Sequence, residues 1–172
     1  MKEAVQTARQ APPRPAPAEQ DWQVRAACPD DVAAVVAAVG ELLVELGGTP
    51  AAEPAMRETV RALIDNPEAG AVLVAEAGAA LVGVLAASWQ MAIHVPGTYA
   101  LIQDLWVHPV WRSQAIGAGL IAAIVELARG RGVARLEVGL PRERFAGFQA
   151  TEAFYLGNGF TPLGPRMRRV LS

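Results

Sequence analysis

Three apolar runs follow one another through the middle of the chain, and they constrain the fold more than any other feature. The runs read AVLVAEAG, ALVGVLAASWQMAIHV and TYALIQDLWV, and the stretches EAGAA and VPGT lie between them. Strand-length apolar runs joined by short turns that contain Gly or Pro are typical of β-hairpins. The sequence therefore predicts an antiparallel meander of three strands.

Segments with helical spacing surround this meander. Apolar residues recur every three or four positions in PDDVAAVVAAVGELLVELGG, in AEPAMRETVRALIDNP and between Leu120 and Ala128. Short strands are predicted for 22–26, ARLEVGL and RMRRVL, and a short helix for QATEAFYLGNG. This order indicates an α/β fold with a mixed, largely antiparallel sheet flanked by helices on both faces. A strand–helix–strand crossover would follow the meander.

Length and composition indicate one folded unit. The chain has 172 residues, about one domain, and residues 1–20 carry four Pro among Gln, Glu and Ala. Such a composition does not repay the entropy of ordering, so we expect a disordered arm over 1–20 and a single domain over 21–172. Since no run approaches ~18 strongly apolar residues and the start has no apolar signal segment, we expect a cytoplasmic protein without a membrane partner.

Charge and ligand-forming residues argue against two further classes of protein. The net charge is −2, and only the tail PRMRRVL is locally basic. Because nucleic-acid-binding proteins concentrate positive charge on a patch, no nucleic-acid partner is expected. The chain has one cysteine, Cys28, and two histidines, too few of the usual ligands for a zinc site, so no metal is expected.

Gly117, Ala118 and Gly119 stand where the helix that contains Leu120 would begin. Gly inside a helix costs about 0.5–1 kcal/mol relative to Ala, so these small residues need a reason. They would let an anion approach the free backbone N–H groups of a helix N-terminus. They would equally let the helix pack closely on a sheet, and the local stretch does not decide between the two.

A dinucleotide-binding fingerprint is one interpretation of this stretch. Residues 117–122 fit the pattern G-x-G-x-x-A, and Glu137 lies twenty residues beyond Gly117 on the next predicted strand. That fingerprint turns directly from strand to helix, whereas HPVWRSQAI intervenes here. Only 55 residues remain after Gly117 to complete a parallel sheet. The dinucleotide interpretation is therefore the weaker alternative.

Two motifs lie at a characteristic separation. In DLWVHPVWRSQAIGAGLI, an apolar strand and a short loop precede Q/R-x-x-G-x-G/A at a helix start, and this segment resembles the coenzyme A-binding segment of the GNAT superfamily of N-acetyltransferases. Residues 114–119 fit the hexad. AFYLGNGF, residues 153–160, resembles the family's downstream Tyr followed by Gly-Phe, and the element order matches from about residue 22 onward. The resemblance implies a GNAT-like acyl-CoA N-acyltransferase fold.

The resemblance also implies an activity: direct transfer of an acetyl group from acetyl-CoA to a primary amine, expected to be that of a small molecule, with a protein or peptide amine left open. Tyr155 would be the general acid for the departing thiolate. The pyrophosphate would bind backbone amides of residues 114–119, and the pantetheine arm would run along β-strand residues 105–107, with the thioester near Val107. The implied cofactor-binding residues are Leu105, Trp106, Val107, Arg112, Ser113, Gln114, Ala115, Ile116, Gly117, Ala118 and Gly119.

Asp104 interrupts an otherwise apolar strand, where an unpaired buried carboxylate would be costly. It is either a structural acid with hydrogen-bonding partners or a catalytic residue that attracts the cationic amine or relays its proton. Strand alternation predicts that Asp104 lies on the same face as Trp106 and opposite Gln103 and Leu105. Both interpretations stay open at this point.

The chain departs from the family pattern at three positions. Ser113 and Ala115 stand where members often have Gly, and Phe148 stands where an Asn is common. If positions 113 and 115 need a positive φ, their Cβ atoms cost free energy, although the Ser113 hydroxyl could bond a phosphate or cap the helix. These departures motivate a second hypothesis, a module of the same fold that holds acyl-CoA without turnover. The acceptor and the oligomeric state, including a homodimer, stay open.

Overall fold

The computed structural model describes residues 21–164, 167 and 169. Among them, five strands form one sheet in sequence order, and four α-helices flank it. The strands are β1 (Gln23–Ala26), β2 (Gly70–Ala77), β3 (Ala80–Ala92), β4 (Val95–Val107) and β5 (Leu136–Val138). The helices are α1 (Val32–Glu45), α2 (Glu53–Asp65), α3 (Ile116–Gly130) and α4 (Phe148–Gly157). The arm predicted for 1–20 lies outside the described residues, as does most of the strand predicted for RMRRVL.

Neighbouring strands from β1 to β4 are antiparallel, and β5 alone pairs parallel, with β4. Helix α3 connects β4 to β5, so the predicted meander and the crossover after it are both present. The predicted fold class is confirmed. A largely antiparallel sheet does not match the parallel sheet that a dinucleotide-binding fingerprint opens.

Two hydrophobic cores lie on opposite faces of the sheet. The first, on the α3 face, includes Leu85, Ile102, Leu120, Ile124 and Tyr155. The second, under α1 and α2, includes Val35, Val60, Val74, Val84 and Trp106. Because each helix buries one apolar stripe, both faces of the sheet are covered at its centre. None of the helices in the described part of the chain is long and apolar enough to cross a membrane.

A β-bulge in β4 changes which side chains share a face. Asp104 lies opposite Ala86 and Ile102 opposite Ala87, so Gln103 is the extra residue of β4. Side chains before and after Gln103 therefore do not follow the simple alternation between the two faces of the sheet. Ile102 on one side and Leu105 on the other both contact the α3-side core, although they are three residues apart.

The bulge confirms the predicted face of Asp104 and corrects that of Gln103. Paired residues share a face, so Asp104 lies with Ala86 on the α1/α2 side, as Trp106 does, which agrees with the expected alternation. Gln103 lies on that side too, because its Nε2 donates to the Oγ of Ser88, two residues from Ala86 on β3. The prediction that Gln103 faces the opposite side is wrong, because alternation does not hold across a bulge.

Candidate functional site

The N-terminus of α3 presents backbone donors where sequence analysis expects an anion. The N–H of Gly119 is bonded to the carbonyl of Ala115 at 2.9 Å. By helix geometry, the amides of residues 115–118 have no partner within the helix. No side chain among the described residues caps this end, Ser113 included. These amides and the partial positive charge of the helix end can bind an anion.

Close packing accounts for the two glycines of α3. A Cβ atom at Gly117 would lie 3.0 Å from the Phe154 ring of α4, and one at Gly119 would lie 2.5 Å from the Trp22 ring. Contacts this short would displace the neighbouring rings. The packing interpretation of these residues is thus supported, and the glycines alone are no sign of an anion site.

The loop before α3 contains two residues in the left-handed conformation. Ser113 has φ 64° and Ala115 has φ 61°. A Cβ atom in that region costs roughly 1–2 kcal/mol per residue, so the strain expected at these positions is present. Between them, the carbonyl of Gln114 accepts a hydrogen bond of 3.1 Å from Nε1 of Trp22. The sequence pattern at Trp22 indicates only the start of a strand, and this contact was not predicted.

Arg112 is directed toward α1 and the end of β4. Its two terminal nitrogens donate to both carboxylate oxygens of Glu45, at 3.0 and 2.6 Å, and its Nε donates to the carbonyl of Val107 at 3.1 Å. An exposed ion pair of this kind contributes about 0–1 kcal/mol to stability. A phosphate at the start of α3 would therefore compete with Glu45 for Arg112, and breaking the Arg112–Glu45 ion pair would cost the protein little stability.

Within the described residues, the edge of β4 is open beyond its short pairing with β5, which covers Ala100 to Ile102. The N–H of His108 donates to Val82 on the β3 side, so the alternating backbone groups of Leu105 and Val107 point to the other edge. The carbonyl of Val107 already accepts from Arg112, which leaves both backbone groups of Leu105 and the N–H of Val107 on this edge. Such an edge can pair with an extended ligand as if it were an added strand.

Trp106 is placed differently from its two neighbours. Its side chain is buried in the core under α1 and α2, and the alternation that directs Leu105 and Val107 outward directs its backbone toward β3. Of the three strand residues expected to line the cofactor, Leu105 and Val107 therefore lie on the open edge, and Trp106 lies behind them.

Tyr155 of α4 lies beneath the sheet in the α3-side core. Its ring is only 7% exposed and meets Phe154 and Phe160 edge to face, with centroids 5.1 and 5.3 Å away. Burial, followed by the negative charge of Asp104, raises the pKa of Tyr155 to about 12. The phenol is therefore protonated at neutral pH and available as a donor.

Asp104 is half-buried, and desolvation raises the pKa of its carboxyl group. Within the described residues it forms no ion pair. Its negative charge contributes, after burial, to the raised pKa of Tyr155, although Asp104 lies on the α1/α2 side and Tyr155 in the α3-side core. That core also includes Ile102 of β4, with Leu105 packed against it.

A group of hydrogen-bonded polar side chains on the α1/α2 face was not predicted. Ser88 and Gln90 of β3 and Gln103 of β4 are joined by hydrogen bonds through the Ser88 hydroxyl. The only sequence signal was that Ser88 and Gln90 are two residues apart at the end of an apolar run, which places both on one face of a strand. The participation of Gln103 depends on the bulge, which has no such signal.

Comparison with known proteins identifies the family. The family model described as Acetyltransferase (GNAT) family matches residues 36–160, well over half of the chain. A search of curated protein sequences finds no significant match.

Several solved structures share the fold. A protein described as a possible acetyltransferase from Clostridium difficile 630 has a TM-score of 0.74 and 16% identity, over 88% of this chain and 97% of that one. One described as a predicted acetyltransferase with acetyl-CoA, from Clostridium acetobutylicum, has a TM-score of 0.71 and 15% identity, over 87% and 96%. An aminoglycoside acetyltransferase from an uncultured soil metagenomic sample has a TM-score of 0.70 and 20% identity, over 88% and 99%. Together with the family match and the five-stranded sheet, these findings show that the chain belongs to the GNAT acetyltransferase family.

Proposed function

We propose that the chain is an N-acetyltransferase that moves the acetyl group of acetyl-CoA directly to a primary amine of a small molecule. The open edge of β4 carries this proposal. It leads from the backbone donors at the start of α3 along Val107 and Leu105 toward Asp104, whose negative charge contributes to the raised pKa of Tyr155. A ligand with an anionic end, an extended arm and a reactive carbonyl fits these three features in that order.

The contacts around Val107 orient the acetyl donor along this edge. A Cβ atom at Gly117 would lie 3.8 Å from Cγ2 of Val107, so Val107 is at the α3 end, where the phosphates would bind. The arm would then pair with Leu105 and Val107, and the thioester would lie toward Asp104. This proposed orientation differs from the expectation drawn from the family resemblance, which has the thioester near Val107.

The reaction makes one C–N bond and breaks one C–S bond. The neutral amine attacks the thioester carbon, the sulfur departs with the electron pair of the C–S bond, and the new ammonium loses a proton to Asp104 or water. The pKa of Tyr155, about 12, lies above the ~8.5 of a thiol. Tyr155 therefore stabilises the departing thiolate chiefly by a hydrogen bond.

Two observations support a small-molecule amine as acceptor. The half-buried Asp104 offers a negative charge that would attract an ammonium group to the site. One protein of the same fold is described as an aminoglycoside acetyltransferase, which acts on a small molecule rich in amines. A peptide or protein amine is the alternative acceptor.

The strained loop favours a second candidate function, an acyl-CoA-binding module without turnover. Left-handed Ser113 and Ala115 shape a loop that can hold phosphates whether or not catalysis follows. Two measurements distinguish the candidates: a thermal-shift titration with acetyl-CoA and with NADH, and an assay of coenzyme A release with a panel of amines. The enzyme should respond to acetyl-CoA alone and release coenzyme A with at least one amine. Stabilisation without release from any amine would favour the binding module, and a response to NADH alone would overturn both.

A further inference from the structure

Polar side chains appear on the α1/α2 side of the sheet past Ala86. Beneath the helices this side carries Val84 and Trp106, which are buried in the core. Past Ala86 it carries Ser88 and Gln90 on β3 and Gln103 and Asp104 on β4. Leu101 and Tyr99, which pair with Ser88 and Gln90, share this side with them.

One hydroxyl oxygen organises three of these polar side chains. Oγ of Ser88 accepts hydrogen bonds from Nε2 of Gln90 at 2.8 Å and from Nε2 of Gln103 at 2.9 Å. A hydroxyl has two acceptor lone pairs and one proton, so both lone pairs of Ser88 are used and its proton remains to be donated. Because the side-chain nitrogens of Gln90 and Gln103 donate to Ser88, the side-chain oxygens of both residues remain available as acceptors.

This arrangement differs from polar residues that only face water. Gln103 is exposed and Ser88 and Gln90 are half-buried, so none of the three needs a protein partner to be satisfied. Their mutual bonds nevertheless fix one donor and two acceptors beside Asp104. A hydroxyl group on a ligand both donates and accepts a hydrogen bond. It can therefore accept from the Ser88 hydroxyl and donate to one of the two amide oxygens.

The spacing along β3 sets the length of such a ligand. Asp104 lies opposite Ala86, and Ser88 is two residues further along the strand. Two strand residues span about 7 Å. We propose that Ser88, Gln90 and Gln103 recognise a hydroxyl group of the acceptor, so that the enzyme selects primary amines with a hydroxyl about 7 Å from the nitrogen. This inference rests on the proposed acetyltransferase function.

Two amines of the same shape test the proposal. 5-Aminopentan-1-ol and n-hexylamine have the same chain length. At the end distant from the nitrogen, the first has a hydroxyl group and the second has a methyl group. We expect wild-type kcat/KM to favour the amino alcohol by about 3- to 10-fold, the effect of one neutral hydrogen bond. Ser88→Ala and Gln103→Leu should each bring that ratio close to one without changing KM for acetyl-CoA, which also verifies folding. Gln149→Leu, an exposed change of the same kind on α4, should leave the ratio unchanged.

The outcomes separate this inference from the function on which it rests. Equal kcat/KM values for the two amines in the wild type, or a preference that survives both Ser88→Ala and Gln103→Leu, would overturn the recognition site alone. Acetyl-CoA binding without coenzyme A release from these amines or any other would overturn the acetyltransferase function and the recognition site together.

Discussion

The indole Nε1 of Trp22 bonds the carbonyl of Gln114 at 3.1 Å, and this carbonyl lies between two left-handed residues, Ser113 and Ala115. Strained backbone persists where the surrounding structure fixes it. The Trp22 ring also packs on Gly119, in the first turn of α3. One side chain from the start of β1 thus holds both the loop and the helix that would bind the phosphates.

Trp22→Phe tests this role because it keeps an aromatic ring and removes the N–H donor. We expect acetyl-CoA binding to weaken by about 3- to 10-fold, because the loop loses one hydrogen bond and samples other conformations. Ala115→Gly in the same variant should restore affinity, because Gly adopts a positive φ without a steric cost. Dissociation constants from calorimetry and melting temperatures check both changes.

Ala122→Gly provides the matched control for that rescue. Ala122 is exposed within α3, so glycine there should cost about 1 kcal/mol of stability and restore nothing. Unchanged affinity in Trp22→Phe, or equal rescue by both glycine variants, would contradict the role of Trp22 in holding the loop.

Ala118→Asp tests phosphate binding at the start of α3. A carboxylate in the first turn of a helix is favourable by about 0.3–1 kcal/mol, so the free protein should melt at an equal or higher temperature. The same charge would repel a phosphate, and the thermal response to acetyl-CoA should be lost. Ala118→Asn has similar size and no charge and should keep most of the response. If both variants respond alike, the phosphates bind elsewhere.

The regular elements of this fold were predictable because periodicity reports burial. Alternating and helical apolar patterns located the described strands and α-helices, and the turn residues of EAGAA marked the first hairpin. The prediction that VPGT forms the second turn is wrong, because these residues begin β4 and the turn falls at Ile93 and His94. The bulge at Gln103 has no such signature, because it depends on the register between two strands. The bulge decides which face Gln103 occupies. It therefore decides whether Gln103 joins Ser88 and Gln90 on the α1/α2 side, where we propose that the acceptor binds.

The contacts that shape the candidate site were less predictable because they connect distant parts of the chain. Trp22 and Gln114 are 92 residues apart, and no local pattern relates them. Arg112 was expected near the phosphates from the family motif, but its pairing with Glu45 depends on where α1 ends. In contrast, the strain at Ser113 and Ala115 was foreseeable, since glycine is common there in the family and a Cβ atom has a known cost.

Tyr155→Phe should keep acetyl-CoA affinity and lower kcat. The phenol is lost while the ring still packs against Phe154 and Phe160, so folding should be little affected. Removing one hydrogen-bond donor to a developing negative charge typically lowers kcat by about 10²–10³-fold. Since the pKa of Tyr155 is about 12, the wild-type rate should show no decline from its ionisation up to about pH 10. Unchanged kcat in the variant, with acetyl transfer rate-limiting, would leave Tyr155 a packing residue.

Asp104→Asn separates the two roles that remain for the carboxylate. Desolvation raises its pKa, so the folded chain holds the proton more tightly than the unfolded chain does. The free energy of unfolding therefore falls as pH rises from the ordinary pKa of aspartate through the raised one. The variant removes the charge, so it should melt above the wild type at pH values above that window, and the difference should shrink as pH falls through it.

A gain in stability at the cost of activity would identify Asp104 as a functional residue. If it attracts the amine or takes its proton, Asp104→Asn should lower kcat/KM for amines and change the acidic limb of the pH profile, with the acetyl-CoA dissociation constant unchanged. Glu58→Gln removes an exposed carboxylate from α2 and should alter none of these quantities. A variant that melts lower than the wild type but keeps its kcat/KM per folded molecule would make Asp104 a structural acid. Its raised pKa would then be a consequence of burial without a catalytic use, and the proton of the amine would leave through water.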